Sequence, residues 1–158
     1  MKKLFTIPNL LILLITAILY SCGGSQEVQK KRMTVTTNSD EARDLFYQAI
    51  DVHQGLNWQR AENLLKSALA KDPNFVTAKA LLNSPFVNNT DRKILTDINN
   101  NQLDKVSEME AIYLKAWFQR VSGESKESNE TFDELTNKYS DISTFWLHSG
   151  VLKSNGGA

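Results

Sequence analysis

Between Ser39 and Pro73 apolar residues recur at helical spacing twice over, and this pattern leaves the chain the fewest choices of fold. Leu45, Phe46, Ala49, Ile50 and Val52 share one side of a helix that Ser39 and Asp40, both good N-cap types, would open. Gly55-Leu56-Asn57 interrupts it. Ala61, Leu64, Leu65, Ala68 and Leu69 mark a second amphipathic helix, which Asp72-Pro73 ends because proline disfavours the helical region for the residue before it. Two helices of about 14 residues across so short a turn predict an antiparallel helical hairpin.

A looser copy follows 67 residues downstream. Ser107-x-x-Glu110 predicts a capping box for a helix through Val121, with Ile112, Ala116 and Trp117 on its buried side. Gly123 makes the turn, and Ser128, Phe132 and Leu135 stand where Ala61, Leu65 and Ala68 stood. Residues 74–106 have the length of one further hairpin but a poorer pattern. They predict a short helix over Phe75 to Leu82, a second over Thr90 to Ile98, and a turn or loop at Asn99-Asn100-Asn101. A last helix, opened by Asp141 or Ser143, runs to about Ser154 and carries Phe145, Trp146, Leu147, Val151 and Leu152.

The order of Ala49, Asn57-Trp58, Ala61, Leu65, Ala68 and Asp72-Pro73-Asn74-Phe75 resembles a tetratricopeptide repeat. In that family small residues at Ala49, Ala61 and Ala68 let the paired helices approach closely, Trp58 takes the aromatic position after the turn, and Pro73 closes the unit. Ala116, Phe132 and Leu135 would play the same packing roles in the downstream copy. Departures are Leu45 for the usual tryptophan, Gln48 for leucine, Ser128 for alanine and Ser140 for proline. The resemblance implies an all-α fold: a right-handed superhelix of about three antiparallel helix pairs and a terminal helix. The repeats would fall at approximately 42–75, 76–107 (degenerate) and 108–141, with the terminal helix at 142–154, inside a domain of residues 39–158. It further implies that the first helix of each pair lines a concave groove. That places Arg43, Phe46, Tyr47 and Ile50, then Glu110, Tyr113, Trp117 and Arg120, with Trp146 extending the surface. Aromatics and arginine are the types enriched at binding hot spots; simple packing between helices is the competing reading of the same positions. Some family members clamp a peptide carboxylate with lysines and asparagines; Phe46, Ile50, Tyr113 and Trp117 at those positions argue against that mode.

The N-terminus is of another kind. Lys2 and Lys3 precede an apolar run from Leu10 to Leu19, too short for a spanning helix of about 20 residues and suited to a secretory signal. It ends in Leu19-Tyr20-Ser21-Cys22, which resembles the lipobox of bacterial lipoproteins. The resemblance implies a signal peptide over 1–21, cleavage between Ser21 and Cys22, and acylation of Cys22, in the manner of a Gram-negative envelope lipoprotein. Gly23 stands where an aspartate would signal inner-membrane retention, which favours the outer membrane. Residues 22–38, poor in large apolar side chains, read as a flexible tether, with Lys30-Lys31-Arg32 solvated within it.

Charge and residue counts then remove several functions. Lys+Arg and Asp+Glu are equal at 18 each, so no global basic field points to nucleic acid. One cysteine and two histidines, His53 and His148, give no thiolate or imidazole cluster for a metal, and both histidines are expected at the surface or at a helix cap. No Gly-x-Ser-x-Gly elbow or phosphate-cradling glycine loop occurs. The expectation is therefore a non-enzymatic, lipid-anchored scaffold without cofactor or metal, holding a protein or peptide at the cell envelope. An accessory role in outer-membrane protein assembly, or glycan binding through Trp117 and Trp146, are the alternatives.

Overall fold

The computed structural model describes residues 31–155; the segment with Ser21 and Cys22 lies outside them. Among the described residues there are seven α-helices and no strand. These are α1 (Asp40–Gln54), α2 (Trp58–Lys71), α3 (Val76–Leu82), α4 (Arg92–Asn101), α5 (Glu108–Ser122), α6 (Ser125–Lys138) and α7 (Ser143–Asn155). Short 3-10 turns at Pro85–Val87 and Leu103–Lys105 flank α4. The fold is all-α.

Local chemistry sets the boundaries. The Ser39 hydroxyl accepts from the Ala42 N–H at the start of α1, and the Asn57 side chain accepts from the Arg60 N–H at the start of α2. Asp91 caps α4 by accepting from Lys93 and Ile94. Ser107 and Glu110 form the complete capping box of α5, and Gly123, at φ 89°, ends that helix in the left-handed conformation only glycine adopts cheaply. Between α1 and α2 the left-handed turn falls instead on Leu56, at φ 60°, one residue beyond the glycine.

Packing follows the hairpin pattern. The most extensive helix contacts are α1 on α2 and α5 on α6, with α7 laid on α6. Ala49, Ala61, Leu65, Ala68, Ala116, Phe132 and Leu135 are all fully buried. Ser128, standing where alanine was expected, is buried because its hydroxyl donates to the Ala116 carbonyl at 2.8 Å across the α5–α6 contact. Pro73 is exposed at the end of α2, and Trp58 is 43% exposed rather than packed between helices.

Two expectations need correction. Asn99-Asn100-Asn101 is helical, the last turn of α4, because Asp97 accepts from the Asn101 and Gln102 side-chain amides and holds that turn closed. Residues 33–38 are no free tether. Met33 and Val35 are buried in the core, and the segment is fastened to two helices through buried carboxylates. Lys31 and Arg32, expected to be solvated, pair with Asp141 and Asp51 at 2.6 and 2.8 Å. Such exposed pairs contribute little; the fastening comes from Glu110 and Asp72.

Glu110 lies on α5 with no exposed surface. Its carboxylate accepts from the Thr36 N–H (2.9 Å), the Thr36 hydroxyl (2.6 Å), the Thr77 hydroxyl (2.6 Å), and the N–H and hydroxyl of Ser107 (3.0 and 2.9 Å). A charge without a cationic partner survives burial only when its lone pairs are filled in this way. Asp72, at the end of α2, accepts from the Thr37 hydroxyl at 2.6 Å and from the Asn38 and Asn74 N–H groups at 3.0 Å. The Thr37 hydroxyl is the main reason its carboxyl is held below the ordinary value, with the two N–H groups adding to it against burial.

Candidate functional site

Most of the residues expected to line a groove are buried or half-buried. Phe46 and Tyr113 have no exposed surface, and Ile50 and Trp117 retain at most 5%. Tyr113 sits edge-on to Trp117 and Phe132 and tilted against Phe145, so α5 and α7 close over the space that the groove would need. The cause is the side chains themselves: each large apolar residue of this kind gains about 1.5–3 kcal/mol by burial, and packing among the short helices supplies that. Tyr47 is half-buried, its hydroxyl donating to the Met33 carbonyl at 2.9 Å and its ring under the Arg32 guanidinium at 5.0 Å. Arg43 pairs with Asp40 on its own helix. Arg120 donates to Asn129 at 2.6 Å. Only Trp146 is well exposed, at 54%, with its indole N–H donating to the Ser140 carbonyl. Trp117 in the core and Trp146 at the surface form no shared stacking platform.

An open space lies elsewhere, where the end of α1, the 85–87 turn, α5 and α7 converge. Its volume is about 330 Å³. Phe86 and Trp117 form its inner walls, His53 and His148 its polar edge, and Leu56, Trp58 and Leu147 its rim. The rim is exposed: Leu56 by 74% and Leu147 by 37%, beside Trp58. The left-handed φ of Leu56 costs on the order of 1 kcal/mol for a side chain with a Cβ, and here it is spent on holding an exposed leucine at a cavity mouth.

His53 keeps its expected place in the last turn of α1, half-buried, whereas His148 is no surface or cap residue. His53 stacks on Phe86 with centroids 3.8 Å apart and 14° between planes. His148 is buried and stands edge-on to both rings, 5.6 Å from His53 and 5.7 Å from Phe86. Its Nδ1 shares a 3.0 Å hydrogen bond with the Tyr113 hydroxyl. Burial pushes His53 down to about 4 against the pull of the Phe86 backbone, and burial with a contribution from His53 pushes His148 down to about 3. Burial likewise raises the Tyr113 hydroxyl. All three groups are neutral at physiological pH.

Three polar atoms around this cavity form no well-aligned hydrogen bond within the protein: His53 Nδ1, Trp117 Nε1 and His148 Nε2. Of these His148 Nε2 stands most alone, because His53 interacts with the Phe86 backbone and Trp117 with the Tyr113 hydroxyl. Among the described residues no group of three or more His, Cys, Asp or Glu side chains is arranged to hold a metal ion. No helix of the described residues is long and apolar enough to cross a membrane. The sequence carried one signal for this site that periodicity obscured: His53, Phe86 and His148 each lie at a helix end, in a turn or in the terminal helix, where the core pattern does not require them.

The chain matches no protein-family model, no curated protein and no solved structure.

Proposed function

We propose that this chain is a lipid-anchored, non-enzymatic binding module of the cell envelope, built from tetratricopeptide-like hairpins curled so tightly that the concave side is filled. The hairpin reading is supported by the full burial of Ala49, Ala61 and Ala68 at the α1–α2 contact and of Ala116, Phe132 and Leu135 at α5–α6. Anchoring rests on Leu19-Tyr20-Ser21-Cys22. Two or three acyl chains at about 0.8 kcal/mol per buried methylene hold a protein of this size on an outer membrane. The observation that carries a binding role is the exposed apolar rim around an aromatic cavity: Leu56, Trp58 and Leu147 are three of the four exposed large apolar side chains among the described residues. With Phe46, Ile50, Tyr113 and Trp117 buried, a protein or peptide partner is met at this rim rather than in a groove.

Two experiments test it. Radiolabelled palmitate should enter the wild-type chain and not Cys22→Ala; labelling of the variant removes the anchor. Affinity capture from detergent-solubilised envelopes should lose its partner on Leu56→Asp/Leu147→Asp, a pair of exposed changes. A partner retained by that variant moves the interface away from the rim.

A further inference from the structure

The cavity has chemistry of its own beneath that rim. Its walls are Phe86 and Trp117, held 88° apart at 6.5 Å, with His148 perpendicular to Phe86. Aromatic side chains arranged edge-to-face present surfaces on which a further ring fits in the same manner. One face of Phe86 is taken by His53, so the space does not offer the open ring faces that a cation requires. No carboxylate, lysine or arginine lines it, so a charged ligand would lose its hydration with no counter-charge in return. The ligand is therefore uncharged and mainly carbon.

It also needs one polar group. His148 is 2% exposed, and its Nδ1 is committed to Tyr113, which leaves Nε2 on the other edge of the ring without a partner. His53 Nδ1 also forms no well-aligned hydrogen bond, although His53 interacts with the Phe86 backbone. Whether Nε2 carries the proton follows from the direction of the Tyr113 bond. A hydroxyl both donates and accepts, so it serves either tautomer. Size sets the rest: an apolar cavity of about 150 Å³ takes up benzene, so one of about 330 Å³ has room for two fused rings.

We propose that the cavity between α1, the 85–87 turn, α5 and α7 binds an uncharged phenol-class ring of one or two rings, seated against Phe86 and Trp117 with its hydroxyl on His148 Nε2. The ring is either a free small molecule or the side chain of a tyrosine in a bound peptide. This deepens the reading of the rim as the binding face, yet the two fail separately.

The test uses the full chain in detergent micelles with 15N-labelled histidine. The chain has two histidines, so the spectrum holds two imidazoles, and His53→Asn assigns them. Titration with 2-naphthol should shift the His148 Nε2 resonance saturably, with affinity at least tenfold above that of naphthalene, both referred to free probe concentration. No shift at either histidine up to the solubility of 2-naphthol overturns the site. Equal affinity for the two probes overturns the role of the imidazole. N-acetyl-tyrosinamide distinguishes the sources: the same saturable shift assigns a peptide side chain, and a shift with 2-naphthol alone assigns a free ligand. A partner still captured through the rim by a chain that binds no naphthol overturns the ring site and leaves the rim standing.

Discussion

Two clusters of polar side chains are buried in this small helical protein, and they are opposites. Around Glu110, five donors from three separate segments converge on one carboxylate, and no polar atom of that cluster is left without a partner. Around His148, three ring nitrogens form no well-aligned hydrogen bond, and His148 Nε2 has no protein partner at all, beside a cavity of about 330 Å³. A satisfied buried network rigidifies; an unsatisfied one costs stability that only something outside the fold can return. The first cluster is a clamp that holds residues 33–38 to the helices. The second is the part of the molecule that its own folding does not complete.

That contrast can be broken most severely at the clamp. Glu110→Gln keeps the shape but turns two acceptor positions into an N–H₂ donor facing donors. Unfolding in urea should show a loss of roughly 2–3 kcal/mol, and a change below about 0.5 kcal/mol would mean that the five bonds to Glu110 do not hold residues 33–38 to the helices. Proteolysis should report the same event locally, with cleavage after Arg32 appearing in the variant before the helices open.

The cavity should respond more weakly. Tyr113→Phe together with His148→Leu removes both ends of one hydrogen bond, which is nearly neutral when the shapes are kept, so stability should stay within about 1 kcal/mol of wild type. His148→Leu alone should be worse than the pair, since it strands a buried hydroxyl. A double variant as damaging as Glu110→Gln would make the two clusters equivalent and remove the distinction drawn here.

Acid separates them further. Folded His53 and His148 have lowered pKa values, about 4 and about 3, against an unfolded value near 6.5. The unfolded chain therefore binds more protons below pH 6.5, and stability falls as pH drops from about 6.5 toward 4 and 3. Above pH 6.5 this contribution is complete. Urea midpoints at pH 7 and pH 5 should show the loss, and the Tyr113→Phe/His148→Leu variant should show less of it. The smallest effect belongs to the rim: Leu56→Gly relieves a φ of 60° without removing packing, because the leucine is 74% exposed. A gain of about 0.5–1 kcal/mol is expected in the same denaturation experiment.

Hairpin periodicity was legible from Ala49 through Pro73 because two helices in close contact constrain size at fixed spacing, and size is what a sequence displays. Ser107 and Glu110 could be read as a capping box for the same local reason. What Glu110 does beyond that was not legible: Thr36 and Thr77 lie 74 and 33 residues away, and nothing local in their neighbourhoods marks a partner. Residues 33–38 looked like linker because two buried side chains, Met33 and Val35, are too few to form a pattern. Whether the groove positions line a surface or pack in the core was left open by the sequence, because helical spacing says which face a residue takes and not what covers that face. Tyr113 and Trp117 lie on the expected face, and that face is closed. His148 was taken for a surface residue since its partner, Tyr113, sits on a different helix 35 residues earlier.

The direct test of this arrangement is the titration of the two imidazoles in the intact chain, followed by 15N NMR from pH 7.5 to pH 3. Rings that face each other inside the fold should keep one neutral tautomer down to pH 5, with His53 titrating near 4 and His148 lower still, beside the onset of unfolding. Two ordinary transitions near pH 6.5 in a folded protein would place both rings in water, and neither the closed α5–α7 face nor the cavity beside it would then stand.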